Sequence, residues 1–169
     1  MNTIGLFYAS STGATKGIAA NIQSKLANVE LINVDGCDKD AMKEFSKIII
    51  GVSTWGEGDL QDDWEEYLPH LEKIDFSQKT VAFFGLGDQE DYADNYLDAM
   101  GTLYNSVVQR GAKVVGSWPI EGYDFDESTA LIDDEFVGLA LDEDNQFDQT
   151  KERVEQWVEQ INPYFTSSK

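Results

Sequence analysis

A three-layer α/β protein built on a doubly wound parallel sheet is the fold class that the sequence predicts. Apolar strand-like runs alternate along the chain with helix-like stripes, and three of the runs lack the polar alternation of a half-exposed strand. Strands that alternate with helices need crossover connections, and right-handed crossovers in both directions place helices on both faces of the sheet. The 169 residues are expected to form one domain, 1–169.

Short runs rich in branched and aromatic residues predict the strands. The runs cover residues 3–8, 29–34, 47–52, 80–86 and 113–116. Because ligands bind a doubly wound sheet beyond the carboxyl ends of its strands, a functional site is expected in the loops that follow these runs.

Apolar residues at helical spacing predict the helices between the strands. The clear stripes cover residues 18–26, 97–108 and 154–161, and weaker helices are expected at 38–45 and 64–71. The acidic, turn-rich segment 119–148 breaks this rhythm and is interpreted as an insertion.

The charge balance narrows the classes of partner. The chain has 32 Asp and Glu residues and 12 Lys and Arg residues, which gives a formal net charge of -20. This charge disfavours binding to nucleic acid and to anionic membranes, and it favours binding to basic patches on proteins. The single cysteine, Cys37, has no partner for an internal disulfide, which favours a reducing cytoplasm. No apolar run approaches the roughly 18 residues of a membrane span, so no membrane association is expected.

Hydroxyl side chains cluster between the first strand and the first helix, where residues 10–15 read Ser-Ser-Thr-Gly-Ala-Thr. Free N–H groups and the positive end of the helix dipole make such a loop typical of a phosphate site, and Gly13 allows φ > 0 or a close approach of the ligand. The alternative is that these residues only cap the helix. Triphosphate and dinucleotide glycine motifs are absent, so a monophosphate is the simplest anion.

Two further loops each place an aromatic residue outside the helical stripes. Trp55 lies in the glycine-rich segment 53–60, and Tyr92 lies among acidic residues in 85–95. Trp55 is interpreted as facing a ligand, with a packed core or rim tryptophan as the alternative. Together with the phosphate loop, the two rings describe a slot for a flat heteroaromatic ring joined to a phosphate.

Taken together, the loops resemble those of the flavodoxin family, long-chain type, over residues 3–161. The matching motifs are Ser10, Thr12, Gly13 and Thr15; Thr-Trp-Gly at 54–56 with Gly-Asp-Leu-Gln at 58–61; Gly-Asp-Gln at 87–89 with Tyr-Ala-Asp-Asn at 92–95; and 139–146. The resemblance implies a five-stranded parallel sheet in the order 2-1-3-4-5, with a long-chain insertion, roughly 119–144, in the fifth strand.

The resemblance also implies one non-covalently bound FMN. The cofactor-binding residues it implies are Ser10, Ser11, Thr12, Gly13, Ala14, Thr15, Thr54, Trp55, Gly56, Gly87, Asp88, Gln89, Tyr92, Asn95 and Asp144. By this resemblance residues 10–15 hold the phosphate, and Trp55 and Tyr92 sandwich the isoalloxazine ring. Thr54, Asn95 and Asp144 would approach the ribityl chain.

At the pyrimidine edge of the ring, the resemblance implies Asp88 together with backbone groups near Gly87 and Gln89. The peptide between Gly56 and Glu57 could turn its carbonyl toward the flavin N5, because glycine reaches φ > 0 at little cost. We therefore expect a stabilised neutral semiquinone, and a low second potential because the hydroquinone adds negative charge beside acidic residues.

The implied function is that of a low-potential electron carrier, which needs no general acid or nucleophile. Implied partners are redox proteins with basic docking patches, for example a ferredoxin/flavodoxin-NADP reductase or an oxidoreductase acceptor, and a monomer is expected. The alternative is a flavin-dependent NAD(P)H quinone or nitro reductase, which would need a second substrate pocket over the flavin. A phosphoryl-receiver domain would need acidic residues that the loops at 8–10 and 52–54 do not supply.

Other chemistry-bearing residues have simpler interpretations. His70 is expected to be solvated or to cap a helix, and Trp64, Trp118 and Trp157 are expected to pack. The acidic runs at 62–63, 133–135 and 142–144 are interpreted as solvated surface, and their spacing does not suggest a metal site.

Overall fold

The computed structural model describes residues 3–9, 13–55 and 58–166, with the backbone only for Trp55 and Thr166. The strands in this part of the chain are β1 (Ile4–Tyr8), β2 (Val29–Asn33), β3 (Lys47–Trp55), β4 (Asp59–Leu60), β5 (Thr80–Leu86), β6 (Lys113–Val115), β7 (Trp118–Pro119), β8 (Leu131–Ile132), β9 (Glu135–Phe136) and β10 (Leu139–Leu141). The α-helices are α1 (Ala14–Lys25), α2 (Asp62–Leu71), α3 (Asp98–Gln109) and α4 (Thr150–Thr166).

The main sheet confirms the predicted doubly wound fold. Its neighbours run in the order β10-β5-β3-β1-β2, and the pairings along this path are parallel. In chain order this is the predicted 2-1-3-4-5 arrangement. Helices α1 and α4 contact each other, as do α2 and α3, so the sheet lies between two helical layers.

The fifth strand position is divided between two short strands. β6 pairs with the first half of β5 and β10 pairs with its second half, both in parallel. Between them, residues 116–138 leave the sheet and form a small antiparallel sheet in the order β7-β9-β8. The excursion therefore ends earlier than the predicted 119–144, because Leu139–Leu141 have already rejoined β5. That this excursion is the family's long-chain insertion stays an interpretation.

Three tryptophans, at positions 64, 118 and 157, were predicted to pack, and all three are buried. The buried indole of Trp64 in α2 donates to the Gly51 carbonyl at 2.9 Å, and that of Trp157 in α4 donates to the Gly116 carbonyl at 2.9 Å. Each bond satisfies the one polar atom of a ring that otherwise contributes apolar area to the core.

One predicted helix is shorter than expected, and another begins earlier. Residues 38–45 contain only a 3₁₀ turn, Ala41–Glu44. Helix α2 starts at Asp62 because the Gln61 side chain accepts a hydrogen bond from the Asp63 N–H at 2.8 Å and so caps the first turn. None of the helices in the described part of the chain has the length and hydropathy to cross a bilayer.

Candidate functional site

The carboxyl ends of four parallel strands place the candidate loops along one edge of the sheet. Register pairs Tyr8 with Gly51, Ser53 with Leu86, and Leu141 with Leu86, so the loops after β1, β3, β5 and β10 leave the sheet side by side. This is the edge at which doubly wound sheets bind their ligands.

The tip of helix α1 faces this edge. Gly13 immediately precedes the helix with φ 93°, a left-handed conformation that favours glycine, and among the described residues a Cβ atom there would meet no heavy atom within 4 Å. Thr15 in the first turn is buried. Ser10, Ser11 and Thr12 lie outside the described residues.

Thr54, at the end of β3, connects that strand to helix α3. Its Oγ1 accepts a hydrogen bond from the Ala99 N–H at 3.1 Å, which satisfies one of the free amides at the start of α3. Since Oγ1 acts here as an acceptor, the Thr54 hydroxyl keeps its hydrogen for a second partner. The Trp55 side chain and Gly56 lie outside the described part of the chain.

A buried carboxylate joins the loop after β3 to the turn before α3. Asp98 Oδ2 accepts a hydrogen bond from Asn95 Nδ2 at 3.0 Å, and its Oδ1 accepts from the Thr129 N–H at 2.8 Å. Gly58, with φ 100°, packs onto this group. Two of the predicted ligand loops are therefore in contact.

Residues 87–92, after β5, form a turn organised by Asp88. Its Oδ1 accepts hydrogen bonds from the N–H groups of Glu90 (3.1 Å) and Asp91 (2.9 Å) and from Asn145 Nδ2 (2.8 Å). Partial burial alone would raise the pKa of Asp88, but these hydrogen bonds outweigh it and hold the pKa below its ordinary value. Asp88 is therefore ionised at neutral pH.

Tyr92 presents its ring at the end of this turn. The side chain is 43% exposed, a large fraction for an aromatic ring beside a functional edge. Its N–H donates to the Asp88 carbonyl at 3.1 Å, and its carbonyl accepts from the Asn95 N–H at 3.0 Å. The predicted residues Asp88, Tyr92 and Asn95 therefore belong to one hydrogen-bonded segment.

Gln89 lies inside the protein rather than at its surface. Its side chain is 2% exposed, and its backbone N–H and Nε2 both donate to Asp142 Oδ2, at 3.0 and 2.8 Å. Gln89 Oε1 accepts from the Asp124 N–H at 2.6 Å. The N–H of Gln89, predicted to approach a ligand edge, is thus already bonded within the protein.

The interpretation of residues 142–144 as solvated surface was wrong for Asp142, which is 0% exposed. Asp144 is exposed, as expected, and lies near the same acidic group. Partial burial, followed by the negative charges of Asp88, Asp142 and Asp91, raises the pKa of Asp144 above its ordinary value.

Sequence reasoning missed four residues that organise the edge: Asp98, Thr129, Asp142 and Asn145. Asp142 directly follows the apolar run Leu139–Leu141, and this position at a strand end is the signal that could have identified it. Within the described residues, no group of three or more His, Cys, Asp and Glu side chains is arranged to hold a metal ion.

These features define the class: a doubly wound α/β protein with a glycine at the tip of its first helix, an exposed tyrosine and acidic turns at the ligand-binding edge. The family model for flavodoxin matches residues 6–157 of the chain. This protein belongs to the flavodoxin family.

Individual relatives match almost end to end. A flavodoxin of Picosynechococcus sp. is 48% identical over 168 residues, 98% of this chain and 99% of the relative. A flavodoxin of Haemophilus influenzae is 45% identical over 164 residues, 95% and 94% of the two chains. The crystal structure of Fusobacterium nucleatum flavodoxin bound to flavin mononucleotide superposes with a TM-score of 0.93 at 35% identity and covers 98% and 99% of the two chains.

Proposed function

We propose that this protein is an electron carrier that binds one FMN non-covalently and exchanges single electrons with larger redox proteins. The observation that carries the proposal is that the α1 tip at Gly13, which has no side-chain cap, and the exposed Tyr92 ring both follow the carboxyl ends of strands in the same sheet. Family membership, and the FMN in the Fusobacterium nucleatum relative, support the same cofactor.

The tip of α1 suits the phosphate of FMN. Gly13 has no side chain to cap the first turn, and no atom of the described residues lies within 4 Å of where its Cβ would be, which favours an anion at this helix N-terminus. Ser10, Ser11, Thr12, Ala14 and Thr15 complete the proposed phosphate loop. A site built from amides and hydroxyls holds a phosphate without a cationic side chain.

Residues around Tyr92 suit the ring of the flavin. An exposed phenol ring contributes apolar area and an aromatic face on which a flat heterocycle stacks. Trp55 is proposed to cover the opposite face, and Gly56 and Gly87 to let the backbone approach the ring. Thr54, Asn95 and Asp144 are proposed to lie along the ribityl chain.

The charges of the site favour a low second reduction potential. FMN, when bound, supplies two one-electron steps. Asp88 stays ionised because its hydrogen bonds lower its pKa, and it places negative charge where the resemblance locates the pyrimidine edge. Coulomb repulsion from this carboxylate opposes further negative charge nearby.

The surface charge favours basic partners. With a formal net charge of -20, the chain attracts positively charged patches on redox proteins over a distance set by ionic strength. We propose docking to such patches, in a reducing cytoplasm, as a monomer. The single cysteine, Cys37, suits a compartment that keeps thiols reduced.

Reconstitution of the apoprotein tests the proposal. Titration with FMN and with riboflavin, which lacks the phosphate, should show saturable binding of FMN at one equivalent and much weaker binding of riboflavin. The reconstituted protein mixed with NADPH alone should stay oxidised, and dithionite should reduce it. Equal affinity for the two flavins would contradict the phosphate site, and rapid reduction by NADPH would favour a reductase.

A further inference from the structure

A fully buried carboxylate lies beneath the turn that carries Tyr92. Asp142 is 0% exposed and follows the last residue of β10. Its Oδ2 accepts hydrogen bonds from Gln89 N–H, Gln89 Nε2 and Asn145 Nδ2, and its Oδ1 accepts from the N–H groups of Asp144 and Asn145. These donors are neutral amides, and the five hydrogen bonds offset the cost of burying the carboxylate.

Asn145 links this buried carboxylate to a second one. Its Nδ2 lies 2.8 Å from Asp142 Oδ2 and 2.8 Å from Asp88 Oδ1. A carboxamide nitrogen carries two hydrogens, so it can donate one to each carboxylate. We call this group, Asp142, Asn145 and Asp88, the Asn145 bridge.

The Asn145 bridge continues into the Tyr92 turn. Asp88 Oδ1, which accepts from Asn145, also accepts the N–H groups of Glu90 and Asp91, and the Asp88 carbonyl accepts the Tyr92 N–H. Glu90, Asp91 and Tyr92 are exposed, so apolar burial does little to hold them. Hydrogen bonding through Asp88 therefore restrains the side of the turn that precedes Tyr92, while the Asn95 N–H, which donates to the Tyr92 carbonyl, restrains the side that follows it.

We propose that Asn145, held by the buried Asp142 carboxylate, is a positioning residue that orders the Tyr92 turn before the flavin binds. A ring already held in place loses less conformational freedom when a ligand stacks on it, and this raises affinity. The role of the Asn145 bridge in ligand binding rests on the proposed FMN site, whereas its ordering of the turn does not.

Asn145→Ala tests the turn in the apoprotein, without any flavin. Asn145 is exposed, so truncating it leaves the core intact, and Asn105→Ala, an exposed asparagine within α3, is the matched control. Amide hydrogen exchange at residues 90–92 should become about tenfold faster in Asn145→Ala, the equivalent of one hydrogen bond to a charged group. It should not change in Asn105→Ala.

FMN affinity provides the second measurement. Asn145→Ala should bind FMN about tenfold more weakly than wild type, with Asn105→Ala unchanged. Asn145→Asp should be weaker still at neutral pH, because a third carboxylate would face Asp88 and Asp142, with Asp144 beside them. Relative to wild type at the same pH, this defect should shrink on acidification, since a protonated carboxyl becomes a donor again.

The outcomes are separable. Unchanged hydrogen exchange at residues 90–92 in Asn145→Ala would overturn the inference. Faster exchange with unchanged FMN affinity would also overturn it, because the Asn145 bridge would then order the turn without contributing to FMN binding. A defect in Asn145→Asp that does not depend on pH would also contradict it. If the wild-type apoprotein binds no FMN, the proposed function fails, and hydrogen exchange still decides whether Asn145 orders the turn.

Discussion

The backbone of Gly58 lies so close to the carboxylate of Asp98 that a Cβ atom at position 58 would come within 2.9 Å of Asp98 Oδ2. Asp98 also accepts hydrogen bonds from Asn95 and Thr129 and so cannot move aside freely. This contact brings the loop after β3 against the turn after β5. The two loops proposed to cover opposite faces of the flavin are thereby held at a fixed spacing.

Gly58→Ala should therefore destabilise the protein and weaken FMN binding. The left-handed φ of 100° is unfavourable for alanine, and together with the contact to Asp98 it should cost about 1–3 kcal/mol of unfolding free energy, measured by urea denaturation. Gly17→Ala is the matched control, because a Cβ in this α1 position meets no atom of the described residues within 4 Å and alanine favours a helix. Equal stability of the two variants would show that the Gly58 contact carries no constraint.

Tyr92→Ala should weaken FMN binding about tenfold or more. Loss of the stacked face removes apolar contact and about 0.5–1.5 kcal/mol of aromatic pairing, while the exposed side chain contributes little to folding. Tyr164→Ala on α4, where the tyrosine is 49% exposed, should leave the affinity unchanged. Fluorescence titration of the apoproteins with FMN measures both, and equal affinities would remove Tyr92 from the site.

Asp144→Asn should stabilise the protein at neutral pH. Because the folded-state pKa of Asp144 is raised, its ionised form is disfavoured in the folded chain, and that cost disappears as pH falls through the raised pKa. The gain should be below about 1 kcal/mol, because solvent screens an exposed group. This gain in stability should become smaller as the pH falls and as the ionic strength rises.

Urea denaturation of Asp144→Asn between pH 4 and pH 8 measures this gain. Glu155→Gln, an exposed neutralisation within α4, controls for the loss of one negative charge. A stability gain that is the same at every pH would show that neither partial burial of Asp144 nor repulsion from Asp88, Asp142 and Asp91 is its source.

Electron transfer to a basic acceptor should slow as ionic strength rises. Attraction between the acidic surface and a basic c-type cytochrome is screened beyond roughly 10 Å at 0.1 M salt. Ferricyanide, an anion, should show the opposite dependence, because screening weakens its repulsion. Stopped-flow rates for the photoreduced holoprotein test both, and a basic acceptor insensitive to salt would exclude electrostatic docking.

The strands of the main sheet were readable from the sequence because their signal is local. Residues 81–84 are continuously apolar, and the run Thr80–Leu86 forms a strand with the predicted ends. The strand Leu139–Leu141 has only three residues and no periodicity, and its pairing with β5 is a long-range contact. Its three apolar residues stand out within the acidic segment, but nothing in them indicated the pairing with β5.

The site, like the sheet, was predictable where its residues form a local motif. Asp88, Tyr92 and Asn95 were identified by motif and lie in one hydrogen-bonded segment. Asp142 was assigned to the surface because its neighbours are acidic, and its burial depends on Gln89, 53 residues away. The contact with Gln89 leaves no pattern in one sequence, although the position of Asp142 directly after an apolar run was a local signal.

The central claim is that loops at one sheet edge bind a single FMN used for electron transfer. Calorimetric titration of the wild-type apoprotein with FMN tests it most directly. We expect each chain to bind one equivalent of FMN tightly, and the product to show the visible bands of a protein-bound oxidised flavin. An apoprotein that is folded by circular dichroism and takes up no FMN would contradict it.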